Sequence, residues 1–142
     1  MLQDGDICTV ENGDGKFSVV KILVMNDEKV HVRLYAHTYD QRPADITSDM
    51  LTVSSIAEKS DDFGVGHLPL SQEGFDSWKP IAVKHEEVTR DDLSGYFVWL
   101  REYIIALNVP GRRQPGIWEP SFTPKSVRET VKSITCTQNA EN

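Results

Sequence analysis

Four histidines, His31, His37, His67 and His85, are the side chains with the most chemistry to offer near neutral pH. None stands three or four positions from another. Neither Cys-x-x-Cys nor His-Glu-x-x-His occurs, so the spacings that announce a metal centre are missing. A site assembled only in the fold, from His37, His67 and an acid such as Asp40, would suit a small hydrolase or a metal-assisted enzyme. The plain alternative is that these histidines are solvent-exposed or hydrogen-bonded. The carboxylate pairs Asp61–Asp62, Glu86–Glu87 and Asp91–Asp92 are adjacent in sequence. In a strand such neighbours point to opposite faces and do not share a proton, so they read as solvated charge. Nucleophile elbow, phosphate loop and dinucleotide fingerprint are all absent from the sequence. Gly64-Val65-Gly66 reads as a turn. No catalytic residue, metal ligand set or cofactor is assigned.

The aromatic residues suit binding better than catalysis. Tyr35 and Tyr39 flank His37 at the end of a predicted strand, and Trp118 sits in an extended piece. Exposed aromatics anchor protein interfaces because they bring large area at low rotamer cost. The competing reading is that they complete a core, and for Trp78 and Trp99 the core is preferred. Arg112-Arg113, in a Pro/Gly loop, suits either a clamp for a carboxylate or phosphate or a solvated loop tip. With Lys125, Arg128 and Lys132 it makes the C-terminal part locally basic, which raises nucleic-acid binding as an alternative. The formal net charge of -7 and pI near 5.0 oppose that, because a negative field repels phosphate backbones. The same field favours a basic partner.

The elements that must position these residues follow from periodicity and turn chemistry. A length of 142 residues suits one domain able to bury its own core. Strands are predicted around Ile7–Thr9, over Phe17–Val24 and over Val30–Tyr35, separated by Asn12–Gly15 and Asn26–Glu28, whose residue types tolerate turns. Alternation in the third strand sends Val30, Val32 and Leu34 inward and His31, Arg33 and Tyr35 outward. Residues 36–50 read as a loop, Met50–Ile56 as a fourth strand and Glu58–Gly66 as an exposed connection. His67–Leu70 is a short extended piece. Ser71 caps a helical turn, and Pro80–Lys84 is a short strand. Leu93, Phe97, Leu100, Ile104 and Leu107 recur at helical steps, giving one helix over about Arg90–Ala106 whose apolar stripe should pack on the sheet. A short C-terminal helix starts at Thr123-Pro124, and Thr137–Asn142 should fray. The fold class is α+β: residues 5–56 form the β part, 89–107 the main helix, and 108–142 a C-terminal wrap. Cys8 should be buried as a small hydrophobe, and a bridge to Cys136 is disfavoured. The N-terminus lacks signal-peptide character and the apolar runs are too short to span a bilayer, so a reducing, cytoplasmic setting is expected.

Gly5-Asp6-Ile7, Asn12–Phe17 and the Val19–Val24 and Val30–Tyr35 strands resemble the opening of an SH3-like or Tudor-like small barrel. That resemblance covers residues 5–56 and implies a shallow aromatic peptide site made of Phe17, Tyr35 and Tyr39. The same opening followed by a helix in an acidic chain is also similar to some toxin-immunity proteins. The resulting expectation is a non-catalytic protein-binding module, adaptor or immunity-like, using Phe17, Tyr35, His37, Tyr39, Trp118, Arg112 and Arg113.

Overall fold

The computed structural model describes residues 1–53 and 63–141, with side chains through Ile134. Strands β1 (Asp6–Glu11), β2 (Phe17–Met25) and β3 (Lys29–Tyr39) form the expected antiparallel meander. At the first turn Gly13 has φ +98, and a Cβ there would lie 2.7 Å from the Thr123 side chain, so both conformation and space require glycine. Strand β4 (Val65–Ser71) pairs with β3 and strand β5 (Ile81–His85) with β1. The five strands make one antiparallel sheet in the order β4-β3-β2-β1-β5, bent by register shifts in three of its four pairings. The protein is therefore of the α+β class. The fourth strand is not the expected Met50–Ile56. Ser48–Met50 forms a short 3-10 turn, residues 51–53 are irregular, and residues 54–56 lie outside the described residues. Its place is taken by a longer β4, which contains the extended piece at His67–Leu70.

Both faces of the sheet are covered. Cys8, Val10, Val20, Ile22, Val30, Val32, Leu34, Leu68 and Leu70 line one face. There they meet Phe75 and Trp78, from and just after helix α1 (Gln72–Ser77), and Val127 from helix α3 (Pro124–Glu141). Ser71 caps α1 as expected, accepting the Gly74 N–H at 2.9 Å. On the other face Ile7, Val19, Tyr35 and Ile46 form a second cluster, with Leu51 and Val83 against it. The second cover corrects the outward placement of His31 and Tyr35. Both are buried, because residues 46–51 and helix α2 (Ser94–Asn108) lie over the face they point to. Phe63, expected in an exposed connection, is also buried; residues 58–62 of that connection lie outside the described residues.

Burial and the nearby Asp6 charge push the Cys8 thiol up to about 12, so it packs as an unreactive apolar group. The side chain of Cys136 lies outside the described residues. Helix α3 runs on through Thr137, where fraying was expected, to Glu141. Among the described residues no helix is long and apolar enough to cross a membrane.

Candidate functional site

Helix α2 is held to the sheet by polar and aromatic contacts at two points. The first is a charge cluster just before its start. Asp92 accepts from Lys21 Nζ at 3.0 Å and from Arg33 Nη1 at 2.7 Å, and Lys21 also donates to the Glu87 carbonyl at 3.1 Å. Asp92 exchanges hydrogen bonds with Thr89, its carboxylate taking the Thr89 N–H while its own N–H reaches Thr89 Oγ1. Burial alone would raise the Asp92 carboxyl. The Thr89 N–H, the Lys21 hydrogen bond and the charges of Lys21 and Arg33 outweigh it and hold the group at about 2.

The second point is a histidine pair. His31 Nδ1 lies 2.8 Å from His67 Nε2, and the rings are nearly coplanar, edge to edge with planes 10° apart and centroids 5.1 Å apart, as an in-plane N–H···N bond requires. Tyr96 and Trp99 of α2 meet the His31 ring edge-on at 4.8 and 4.6 Å. Trp99 stacks in turn on Tyr103, over which Lys29 sits at 5.3 Å. Gly95 permits this approach: a Cβ there would stand 2.6 Å from the His67 Cβ.

One proton fits between the facing nitrogens of His31 and His67, so the pair is a neutral donor and a neutral acceptor. Burial, then the charges of His67 and Lys29, lower His31 to about 4, and burial lowers His67 to about 4. Below the ordinary value of 6.5 the unfolded chain takes up protons that the folded pair refuses. Stability should therefore be flat above pH 6.5 and fall as pH drops from 6.5 toward 4, by on the order of 3 kcal/mol for the fully covered His31. Urea midpoints across that window check this. The slope should shrink in His67→Gln, and an unchanged slope would assign the titration elsewhere.

The residues expected to act together do not come together. Tyr35 is in the core, where burial raises its phenol to about 12. Tyr39 is half-buried against the same cluster. Phe17 stands opposite Tyr39 in the register and is capped by the Arg42 guanidinium, 5.0 Å from its ring. Arg42 is held in turn by the Thr9 carbonyl at 2.9 Å, so the Phe17 ring is covered by a guanidinium and Tyr35 by the core, and no open aromatic cage is formed. His37 is exposed and meets Thr52 Oγ1 at 3.4 Å. It stands six residues along β3 from His31, about 20 Å, whereas His67 is bonded to His31, so His37 and His67 share no site. Among the described residues no group of three His, Cys, Asp or Glu is placed to hold a metal.

Trp118 is half-buried. Its backbone N–H donates to the Pro69 carbonyl at 2.9 Å and its ring meets Phe122 edge-on at 4.9 Å. The basic set divides. Lys125, Arg128 and Lys132 line a cavity of about 360 Å³ with Lys16, Asp14 and Glu129, whereas Arg112 pairs with Glu102 at 3.2 Å beside α2. Arg113 is exposed. Arg128 itself is buried, its fork donating to the carbonyls of Phe63 and Tyr35, to Asn12 Oδ1 and to Ser18 Oγ.

The surface left over is the outward face of α2. The apolar stripe expected to pack on the sheet does so only in part: Leu93 and Leu100 are half-buried, Phe97, Ile104 and Leu107 are 48, 50 and 59% exposed, and none of this helix's residues is fully buried; Val98, outside that stripe, is 66% exposed. The aromatic set Tyr96, Trp99 and Tyr103, with Gly95, faces the body instead. Val109 and Ile117, on the chain that follows, are also exposed, and the Gly116 carbonyl accepts Trp99 Nε1–H at 3.3 Å. Periodicity disclosed these residues as apolar. The signal for their exposure was that α2 is apolar on two sides, only one of which can meet the sheet. No family model, curated protein or solved structure matches this chain.

Proposed function

We propose that this protein is a non-catalytic protein-binding module, adaptor or immunity-like, that docks its partner on the outward face of α2. One observation carries the reading: on the side of a regular helix away from Tyr96, Trp99 and Tyr103, the large apolar side chains of Phe97, Val98 and Ile104 are each about half exposed or more. Concentrated apolar surface of this kind marks interaction sites, whereas scattered single residues do not. The helix is fixed to the sheet at the Asp92 cluster and the His31–His67 pair, so the face is presented rigidly and little ordering is needed on binding. This reading moves the site away from Phe17, Tyr35 and Tyr39, of which Tyr35 is buried and Phe17 lies under the Arg42 guanidinium.

A photo-reactive residue at Val98 should cross-link to a partner protein in extracts of the source cells, whereas one at exposed Lys84 on β5 should not. Val98→Asp should leave the melt within about 0.5 kcal/mol of wild type and weaken the captured interaction by roughly tenfold or more. Equal cross-linking from both positions, or full binding by Val98→Asp, would overturn α2 as the docking surface.

A further inference from the structure

We infer that the partner presents an acidic, amphipathic helix to α2. This rests on the α2 docking reading and goes past it in naming the chemistry that is recognised.

The charge of the segment that carries α2 runs against that of the whole molecule, with Asp27 and Glu28 bordering only its inward, aromatic side. Between Ser94 and Trp118 the chain carries Arg101, Arg112 and Arg113 against one acid, Glu102, a net of +2, while the rest of the chain holds the balance of -9 toward the total of -7. Arg112 is matched to Glu102. Arg101 and Arg113 are exposed and make no ion pair with any described residue. Phe97, Arg101, Ile104 and Asn108 follow one another at i, i+4, i+7 and i+11, so they form a single stripe. Val98 and Leu107 flank it. A cation thus stands in the middle of the apolar ridge, where docking would strip its water. Burying an arginine there is tolerable only if the incoming surface brings a carboxylate to it.

Shape selects the rest. A 15-residue helix is a convex ridge about 22 Å long. The surface that fits such a ridge is the groove between side-chain rows of another helix, with axes roughly 8–10 Å apart. The fitting partner is therefore a helix of about four turns, apolar along one side, with Glu or Asp opposite Arg101 and toward Arg113. A second copy of this chain fits poorly. A two-fold through the middle of the stripe lies at Arg101 and would set the two Arg101 side chains against each other. An anionic bilayer fits poorly as well. Membrane-surface helices carry their cations along the polar face, not in the middle of the apolar one, and a body of charge -7 is repelled.

The test uses two synthetic helical peptides of about four turns with the same leucine stripe, one flanked by glutamates and one by lysines, titrated against the full chain. Global charge alone favours the basic peptide, so the local inference makes the opposite forecast. The acidic peptide should bind roughly tenfold tighter, lose its advantage in Arg101→Glu/Arg113→Glu, and weaken as salt is added. A preference for the basic peptide that Val98→Ala/Ile104→Ala abolishes would overturn the acidic partner and leave α2 docking intact. Binding of neither peptide, by a chain that melts normally, would overturn both. A concentration-dependent dimer dispersed by Ile104→Ala would name a second copy as the occupant. Retention on phosphatidylserine vesicles lost in the same variant would name a membrane. Either of those results overturns the inference.

Discussion

Arg128→Ala is expected to be the most damaging single substitution away from the apolar core, costing about 3–5 kcal/mol. The residue is 5% exposed, and its guanidinium joins Phe63, Tyr35 and the Asn12–Ser18 pair. Nε donates to the Phe63 carbonyl at 3.1 Å, Nη1 to Asn12 Oδ1 at 2.7 Å and Ser18 Oγ at 3.1 Å, and Nη2 to the Tyr35 carbonyl at 2.8 Å. Alanine removes the donors and leaves the acceptors, and it is the stranded acceptors that are expensive. For a chain of this size the melting temperature should fall by about 10–20 °C. Arg128→Lys keeps the charge but not the planar fork, and should recover less than half of the loss. Lys125→Ala, at an exposed position one turn earlier on α3, should change stability by no more than about 0.5 kcal/mol. A melt within about 2 °C of wild type in Arg128→Ala would mean that water from the adjoining cavity takes over the guanidinium's bonds.

Arg128 also shows where reading from sequence stops. In the chain it is one of several basic residues on a helix, and nothing local marks it as buried. Its partners are 65 to 116 residues away. The meander was legible because its determinants are local: β-branched runs, and glycines where the turn needs positive φ, as at Gly13 and Gly15. The capping role of Ser71 was legible for the same reason, as was a helix read over about Arg90–Ala106, which is found at Ser94–Asn108 after a turn over residues 90–93. What failed were the inferences about what would lie against the faces taken as outward. Alternation on β3 separated His31 and Tyr35 from Val30 and Val32 correctly. It could not show that distant residues, Ile46 and those of α2, would cover the second face and bury both sets. On α2 the aliphatic stripe and the aromatic stripe are both apolar, and periodicity carries no information on which one meets the sheet. The choice was made by Gly95, which lets the helix come within contact of His67, and by the imidazole edges offered to Trp99 and Tyr96.

Asp92→Ala should cost about 3 kcal/mol or more, because it strands two cations rather than one. The Lys21 side chain is 5% exposed and that of Arg33 20%, and both point at the Asp92 carboxylate. The damage should be sub-additive with Lys21→Met. Once Lys21 is neutral and apolar, losing the carboxylate leaves only Arg33, which can turn further toward the Gly66 carbonyl, 3.4 Å from its Nε. Acid should reproduce part of the effect. The folded Asp92 carboxyl is held at about 2 against an ordinary 3.8. Its contribution is therefore whole above pH 3.8 and is lost as pH falls through 2, by about 2 kcal/mol. That step should be absent from the acid unfolding limb of Asp92→Ala. The cluster also closes the turn that leads into α2, with the Phe97 N–H bonded to the Leu93 carbonyl one turn later. Loss of Asp92 should therefore loosen the first turns of the docking helix before the sheet unfolds, and hydrogen exchange at Phe97 and Val98 should rise while the β2 and β3 amides stay protected. If all amides lose protection together, α2 does not open apart from the sheet, and the cluster stabilises the domain as a whole without separately setting the pose of the docking face.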